Sequence, residues 1–287
     1  MIKWFEKNNK VFIGFATVFF LAFLARIATI YYLRKQYEPK FRFDMKKYFS
    51  FIDFVKKMPS NNFGRFVLYL SLVHLVVYIA APFFVVYMLR DLGFSYSMFT
   101  IIGISSSLAA LLSMPYLGRF GDKYGTMRLL RIGGFLIFLV PLLWIFSSNI
   151  IYLFVIELFS GVIWAGFNLA SGNYIFDAVT REKRHLCVAY LNVLRGIGIF
   201  IGSILGGYLA TIINLEFMNT ILFLFLVSAV LRLSIAFIFL PRLREVRQVK
   251  KWSMYRAIHY HPLQGRHGFM RGLLDWVYFP LKRNAKR

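Results

Sequence analysis

The sequence predicts an all-α polytopic membrane protein with seven transmembrane helices. The chain is 59% hydrophobic and 19% aromatic, whereas soluble domains are about 45–50% apolar. Its mean hydropathy of +0.62 comes from long apolar runs, each of about 20 residues or more and so able to cross roughly 30 Å of hydrocarbon. Seven such runs are present, at about 11–33, 66–89, 97–117, 127–147, 150–176, 186–213 and 217–240.

The distribution of positive charge predicts the topology. The net charge is +23, and 28 of the 35 Lys and Arg residues lie in the segments 34–65, 118–131, 177–185 and 241–287. Four lie on the opposite side, and three lie within spans, namely Arg26, Arg195 and Arg232. The positive-inside rule makes the basic segments cytoplasmic and puts the N-terminus outside. Because the charge follows the topology, we expect a multi-pass protein of the cell membrane with no nucleic-acid partner.

The two longest basic segments are also rich in aromatic residues. Residues 34–65 suit a segment that lies at the level of the lipid headgroups, and a solvated linker with one short helix is the alternative. In the tail 241–287, the apolar residues between 269 and 279 suit a short amphipathic helix on the inner leaflet. Membrane lipids are therefore expected partners.

A Gly-rich turn joins the spans at 97–117 and 127–147, with the sequence Gly-Arg-Phe-Gly-Asp-Lys-Tyr-Gly. We expect its glycines to form a tight turn and its aspartate to precede a helix start, where a carboxylate satisfies free N–H groups. The spacing resembles motif A of the major facilitator superfamily of secondary transporters. Thr126 and Met127 stand where the family usually has a basic residue. The matching residues are Gly118, Asp122, Lys123 and Gly125.

The resemblance implies a fold and a place within it. The family has twelve helices in two six-helix halves, each made of two inverted three-helix repeats, with motif A between the second and third helices of a half. By this alignment 66–240 is the C-terminal half, 34–65 is the cytoplasmic linker between the halves, and 11–33 is the last helix of the N-terminal half. Residues 160–184 also resemble the fourth helix of that half, with Asp177 at its cytoplasmic exit.

The same resemblance implies a secondary active transporter that moves a small solute by alternating access. We expect the chain to be partial, lacking most of the N-terminal half. The alternatives are a half-transporter that pairs with a partner chain and a membrane enzyme that acts on lipid. The chain shows no catalytic set and no metal-ligand or cofactor motif, so we expect neither an enzyme nor a cofactor. In the family, motif A latches the two halves together, and a plain positive-inside turn is the alternative.

Polar residues within the spans are candidates for solute binding, because burial in lipid makes them costly. Arg26, His74, Asn168 and Arg195 each lie about eight residues, or roughly 12 Å, from a cytoplasmic end. Such a layer favours an anionic or polyhydroxyl solute, although Arg26 could also extend to the interface and the amides could join helices. The predicted substrate-binding residues are His74, Trp164, Asn168, Asn173, Asn192 and Arg195.

Two further features of the spans carry predictions. Glu157 is the only carboxylate clearly within a span, and membrane carboxylates often couple proton movement to transport because desolvation favours their neutral form. We therefore predict a possible role for Glu157 in ion coupling. The span at 186–213 has small residues at four-residue spacing, a pattern that lets helix backbones approach closely. These residues are Gly198, Gly202 and Gly206.

Overall fold

A computed structural model describes residues 11–37, 49–213 and 218–247. It divides into two compact units, Met1–Tyr48 and Phe49–Arg287. The first unit contains helix α1, Val11–Arg34, which coincides with the first predicted span; whether α1 crosses the membrane stays a prediction. The amphipathic helix expected between 269 and 279 lies outside the described residues.

The described part of the second unit is built from α-helices joined by short turns, without strands. Six of its helical stretches are long and apolar enough to cross a membrane, so the predicted all-α polytopic membrane fold is confirmed. The helices are α2 (Phe51–Lys57), α3 (Asn62–Val86), α4 (Tyr96–Tyr124), α5 (Thr126–Leu136), α6 (Leu139–Leu143), α7 (Ile150–Ala178), α8 (Arg181–Ile212) and α9 (Thr220–Phe239).

The third span of this unit is a broken helix made of α5 and α6. The helical pattern is interrupted at Ile137 and Phe138. Pro141 explains the break, because proline has no N–H to donate to the carbonyl four residues earlier, which is that of Ile137. The sequence predicted one span here, at about 127–147, and the helix breaks one turn before the proline.

The turn that carries motif A is much shorter than expected. Helix α4 continues to Tyr124, and Gly125, with a φ of 105°, is the single residue between α4 and α5. The expectation that Gly118 and Gly121 adopt turn conformations is therefore wrong, because both remain helical. Asp122 lies in the last turn of α4 rather than before a helix start.

Another carboxylate, Glu245, takes the capping position expected of Asp122. The backbone N–H of Met127, near the start of α5, donates to Glu245 Oε2 at 2.9 Å. A carboxylate here satisfies a free donor and the positive end of the helix dipole. The Arg131 guanidinium donates to the Leu243 carbonyl at 2.6 Å, so the segment after α9 crosses the start of α5. The Gly125 turn and residues 243–247 thus lie at the same end of the bundle.

Glycines bring α8 and α3 into close backbone contact. A Cβ on Gly202 would lie inside contact distance of the Leu75 carbonyl oxygen, and Gly198 and Gly206 face the carbonyls of Ser71 and Ile79 in the same way. The stripe predicted from four-residue spacing is thus a helix-packing surface. Close approach lets van der Waals contact stabilise helix pairs in lipid, where the hydrophobic effect contributes little.

The short helix α2 packs against this bundle through aromatic side chains. The Tyr190 hydroxyl on α8 donates to the Phe49 carbonyl at 2.8 Å, and the Phe51 and Phe54 rings lie 5.4 and 5.5 Å from the Tyr190 ring. Ser50 caps α2, and its hydroxyl donates to the Asp53 carboxylate at 2.7 Å. This bond is the main cause of the lowered pKa of Asp53.

Candidate functional site

A cavity of about 330 Å³ lies between the membrane helices of the second unit. Its lining residues on α3 run from His74 to Phe84, and those on α7 run from Glu157 to Asn168, each set following one helix face. Ten residues of helix correspond to about 15 Å, so the cavity is elongated along the helices. It is lined by His74, Val77, Tyr78, Ala81, Phe84, Val140, Glu157, Ser160, Trp164, Asn168, Arg195 and Arg232.

The structure brings together most of the predicted site. Four of the six predicted substrate-binding residues line the cavity, together with the predicted coupling residue Glu157. Asn173 and Asn192 are exposed and do not line it. Arg26 belongs to the first unit, so its place in the polar layer stays a prediction. The four residues brought together are His74, Trp164, Asn168 and Arg195.

The two ends of this polar set differ in exposure. Asn168 and Arg195 are exposed and form part of the rim, whereas His74 is 5% exposed. His74 Nδ1 lies 2.8 Å from the Leu70 carbonyl oxygen. A carbonyl only accepts, so Nδ1 carries the proton in this contact. Trp164 is half-buried, and its ring meets the Phe167 ring edge-to-face at 5.8 Å.

Glu157 lies beside two polar groups that come from other helices. The Ser106 hydroxyl of α4 and the Trp144 indole, which directly follows α6, both face its carboxylate. Trp144 is 1% exposed, so its indole is closed off from solvent. Gly161 allows this arrangement, because a Cβ there would clash with the Ser106 carbonyl. Close packing of α4 on α7 therefore sets the surroundings of Glu157.

Arg232 on α9 is the member of the site that sequence reasoning missed. It is 3% exposed and lines the cavity. Its Nε donates to Ser228 Oγ at 3.1 Å, and its terminal nitrogens donate to the Ile137 carbonyl at 3.3 Å and the Val77 carbonyl at 3.5 Å. Ser228 in turn donates to the Val76 carbonyl at 2.7 Å. The sequence showed that Arg232 is a charged residue within a span, which often marks a functional site. It did not show that the side chain points into the cavity.

Motif A lies at the Gly125 end of the bundle, and its residues do not line the cavity. Asp122 Oδ1 lies 3.4 Å from Arg247 NH1, and both side chains are exposed. Exposed ion pairs contribute about 0–1 kcal/mol, so this contact adds little to folding stability. Near it, Thr126 donates to Asp177 at 3.1 Å, which joins the start of α5 to the end of α7.

Comparison with known proteins identifies the family of this bundle. The family model of the Major Facilitator Superfamily matches residues 66–279. The chain belongs to this superfamily. This match confirms the resemblance carried by the motif A residues, and it agrees with the multi-pass membrane fold described above.

Two curated relatives are similar to this superfamily member over part of their length. A protein of Lactococcus lactis named as a multi-drug resistance efflux pump PmrA homolog is 26% identical over 220 residues, which are 75% of this chain and 52% of the relative. An Arabidopsis thaliana protein, described as a "probable peptide/nitrate transporter", is 27% identical over 143 residues, which are 49% of this chain and 28% of the relative. The chain thus spans about half the length of the first relative.

Proposed function

We propose that this chain forms the C-terminal half, with one preceding helix, of a secondary active transporter that moves small solutes by alternating access. The observation that most supports this is the cavity, which gathers charged, amide and aromatic side chains from α3, α7, α8 and α9. Membrane proteins keep such costly residues where a solute or ion passes. By the positive-inside rule, the Gly125 end faces the cytoplasm.

The two least buried spans suggest where a facing half would bind. In the spans Tyr96–Tyr124 and Arg181–Ile212, only 17% of the apolar 18-residue stretch is buried within the protein. In the other four spans the buried share is 39–50%. We propose that a facing half covers part of these two spans. The rest of a longer chain and a separate partner chain are the two sources of that half.

Transport by the proposed cavity is tested in proteoliposomes that contain this chain together with the half that faces it. The panel contains nitrate and a dipeptide, because one relative is named as a peptide/nitrate transporter. It also contains a lipophilic cationic dye as a drug-like solute, because the other relative is named as a multi-drug resistance efflux pump homolog. Arg195→Gln and Asn168→Ala each remove a polar group at the rim, and we expect kcat/KM for the transported solute to fall about tenfold or more, as hydrogen bonds to charged groups contribute about 1.5–3 kcal/mol.

The matched control is Arg242→Gln, which removes an arginine beyond α9 that bonds the Ile238 carbonyl at 2.8 Å and does not line the cavity. We expect its transport to equal that of the unmodified chain. Unchanged transport and affinity in both Arg195→Gln and Asn168→Ala would contradict the proposed site.

We further propose that motif A controls the conformational equilibrium. If Asp122 acts as a latch, Asp122→Ala should change the exposure of the cavity several-fold while changing folding stability by less than about 1 kcal/mol, because its visible ion pair is exposed. Exposure is measured as the labelling rate of Asn168→Cys by a membrane-impermeant thiol reagent, in a Cys187→Ser background. Asp53→Ala, which also removes an exposed carboxylate, is the control. Equal labelling rates in Asp122→Ala and its parent would favour a plain turn.

A further inference from the structure

Arg232 is a buried charge that forms no ion pair with the described residues. It is 3% exposed, and its hydrogen-bond acceptors are two backbone carbonyls and one hydroxyl. The described ion pairs do not include it. A charge without an ion pair is costly to remove from water, so the charge itself requires an explanation.

Helix packing explains the position of Arg232 but not its charge. The Ile137 carbonyl loses its helical donor because Pro141 has no N–H, and Arg232 donates to that carbonyl instead. A neutral amide such as Gln has N–H groups that could make the same bond without a buried charge. The break between α5 and α6 therefore requires a hydrogen-bond donor but does not require the positive charge of a guanidinium.

The guanidinium also has N–H donors that remain available to a group bound in the cavity. It has five N–H donors, and three hydrogen bonds to described residues are present. Two donors are left on a side chain that lines the cavity. A planar guanidinium with free donors matches a carboxylate or another planar oxyanion.

The charges that line the cavity also favour a negatively charged guest. Two guanidinium groups, Arg195 at the rim and Arg232 in the interior, line the cavity together with one carboxylate, Glu157. One positive charge is thus in excess, and His74 adds a polar ring nitrogen. A single negative charge on the solute would balance the two arginines and the glutamate. The volume of about 330 Å³ has room for an organic group beyond the charged one.

We propose that the cavity recognises a small organic monoanion, with the charged group of the solute bound at Arg232. This rests on the proposed transport function and names the class of solute. Arg232 determines the sign of the charge that is accepted, whereas the rim residues Asn168 and Arg195 contact the remainder of the solute.

Binding of matched ligands to the full chain in lipid nanodiscs tests the proposal. Radiolabelled benzoate is the probe, and benzamide and benzylammonium, which share its ring, are neutral and cationic competitors. We expect saturable benzoate binding at millimolar concentration and little competition from either analogue. Arg232→Gln should weaken benzoate binding about tenfold or more, because it removes a charge-assisted hydrogen bond. Arg232→Lys keeps the charge and should bind benzoate with intermediate affinity.

A folding control keeps this test decisive. If Arg232→Gln is unstable, Pro141→Ala is added, because an alanine at that position has a backbone N–H that can donate to the Ile137 carbonyl. The proposal is overturned by equal competition from the neutral or cationic analogue, by benzoate affinity that does not change in Arg232→Gln, or by absence of saturable benzoate binding.

The outcome also separates this proposal from the transport function. Arg195-dependent movement of the cationic dye, unaffected by Arg232→Gln, would leave transport standing and remove the anion site. Arg232-dependent benzoate binding without movement of any solute in the panel would support the anion site and contradict the transport function.

Discussion

Gly202→Ala is expected to destabilise the helix bundle by about 1–3 kcal/mol, the range for overpacking a well-packed site. The added methyl group would lie inside contact distance of the Leu75 carbonyl oxygen, which belongs to the α3 backbone and cannot rotate away. Relief requires α3 and α8 to separate, and their separation would weaken the adjacent contacts of Gly198 and Gly206. The measurement is thermal unfolding of the purified protein in detergent, followed by circular dichroism.

Gly207→Ala is the matched control for that substitution. Gly207 lies on the same helix, five residues further along, and a Cβ there meets nothing within 4 Å. Alanine stabilises a helix interior by up to about 1 kcal/mol relative to glycine, so this variant should be as stable as its parent or more so. Equal unfolding temperatures for Gly202→Ala and Gly207→Ala would show that the close α3–α8 contact does not exist.

Glu157→Gln is expected to abolish accumulation of solute driven by a pH gradient. If Glu157 carries the coupling proton, the glutamine variant should bring the solute only to equal concentrations across proteoliposomes, whereas the parent reaches about a tenfold ratio for one pH unit, equivalent to about 1.4 kcal/mol. Exchange of solute across the membrane without a gradient should persist, because the cavity keeps its shape. Both quantities are measured with the solute that shows Arg195-dependent transport.

Asp91→Asn is the control for this experiment. Asp91 pairs with Arg90 at 2.7 Å and with Asn219 at 2.9 Å at the end of the first span of the bundle, and it does not line the cavity. Its variant should accumulate solute like the parent. Accumulation by Glu157→Gln that equals the parent would remove the coupling role.

The spans were predictable because lipid imposes length and apolarity on them directly. The end of α4 was not, since residues 118–124 are polar and glycine-rich and yet remain helical. A helix needs only backbone hydrogen bonds to continue, and the chain reverses where Gly125 adopts a positive φ. Polarity thus indicated where α4 leaves the hydrocarbon, whereas Gly125 determines where the helix stops.

The sequence could predict which site residues share a face of one helix, but it could not predict how different helices pack together. Trp164 and Asn168 are four residues apart on α7, and both line the cavity. Asn173 was chosen by its depth, but five residues rotate a helix position by about 140° from Asn168, which turns it away. Arg232 was missed because its direction depends on how α9 packs against α3 and on the helix break caused by Pro141. Neither the packing of α9 on α3 nor the helix break can be recognised from the apolar periodicity of a single helix.

The break before Pro141 has a consequence for how solute preference could diverge among related proteins. The guanidinium of Arg232 is held by two main-chain carbonyls, those of Ile137 and Val77, in addition to the Ser228 hydroxyl. Substitution of most neighbouring side chains therefore does not relocate it. Asn168 and Arg195, which are exposed, have no such constraint. Changes in the size or shape of cargo should therefore arise readily at the rim, whereas a reversal of accepted charge would require replacement of Arg232 itself.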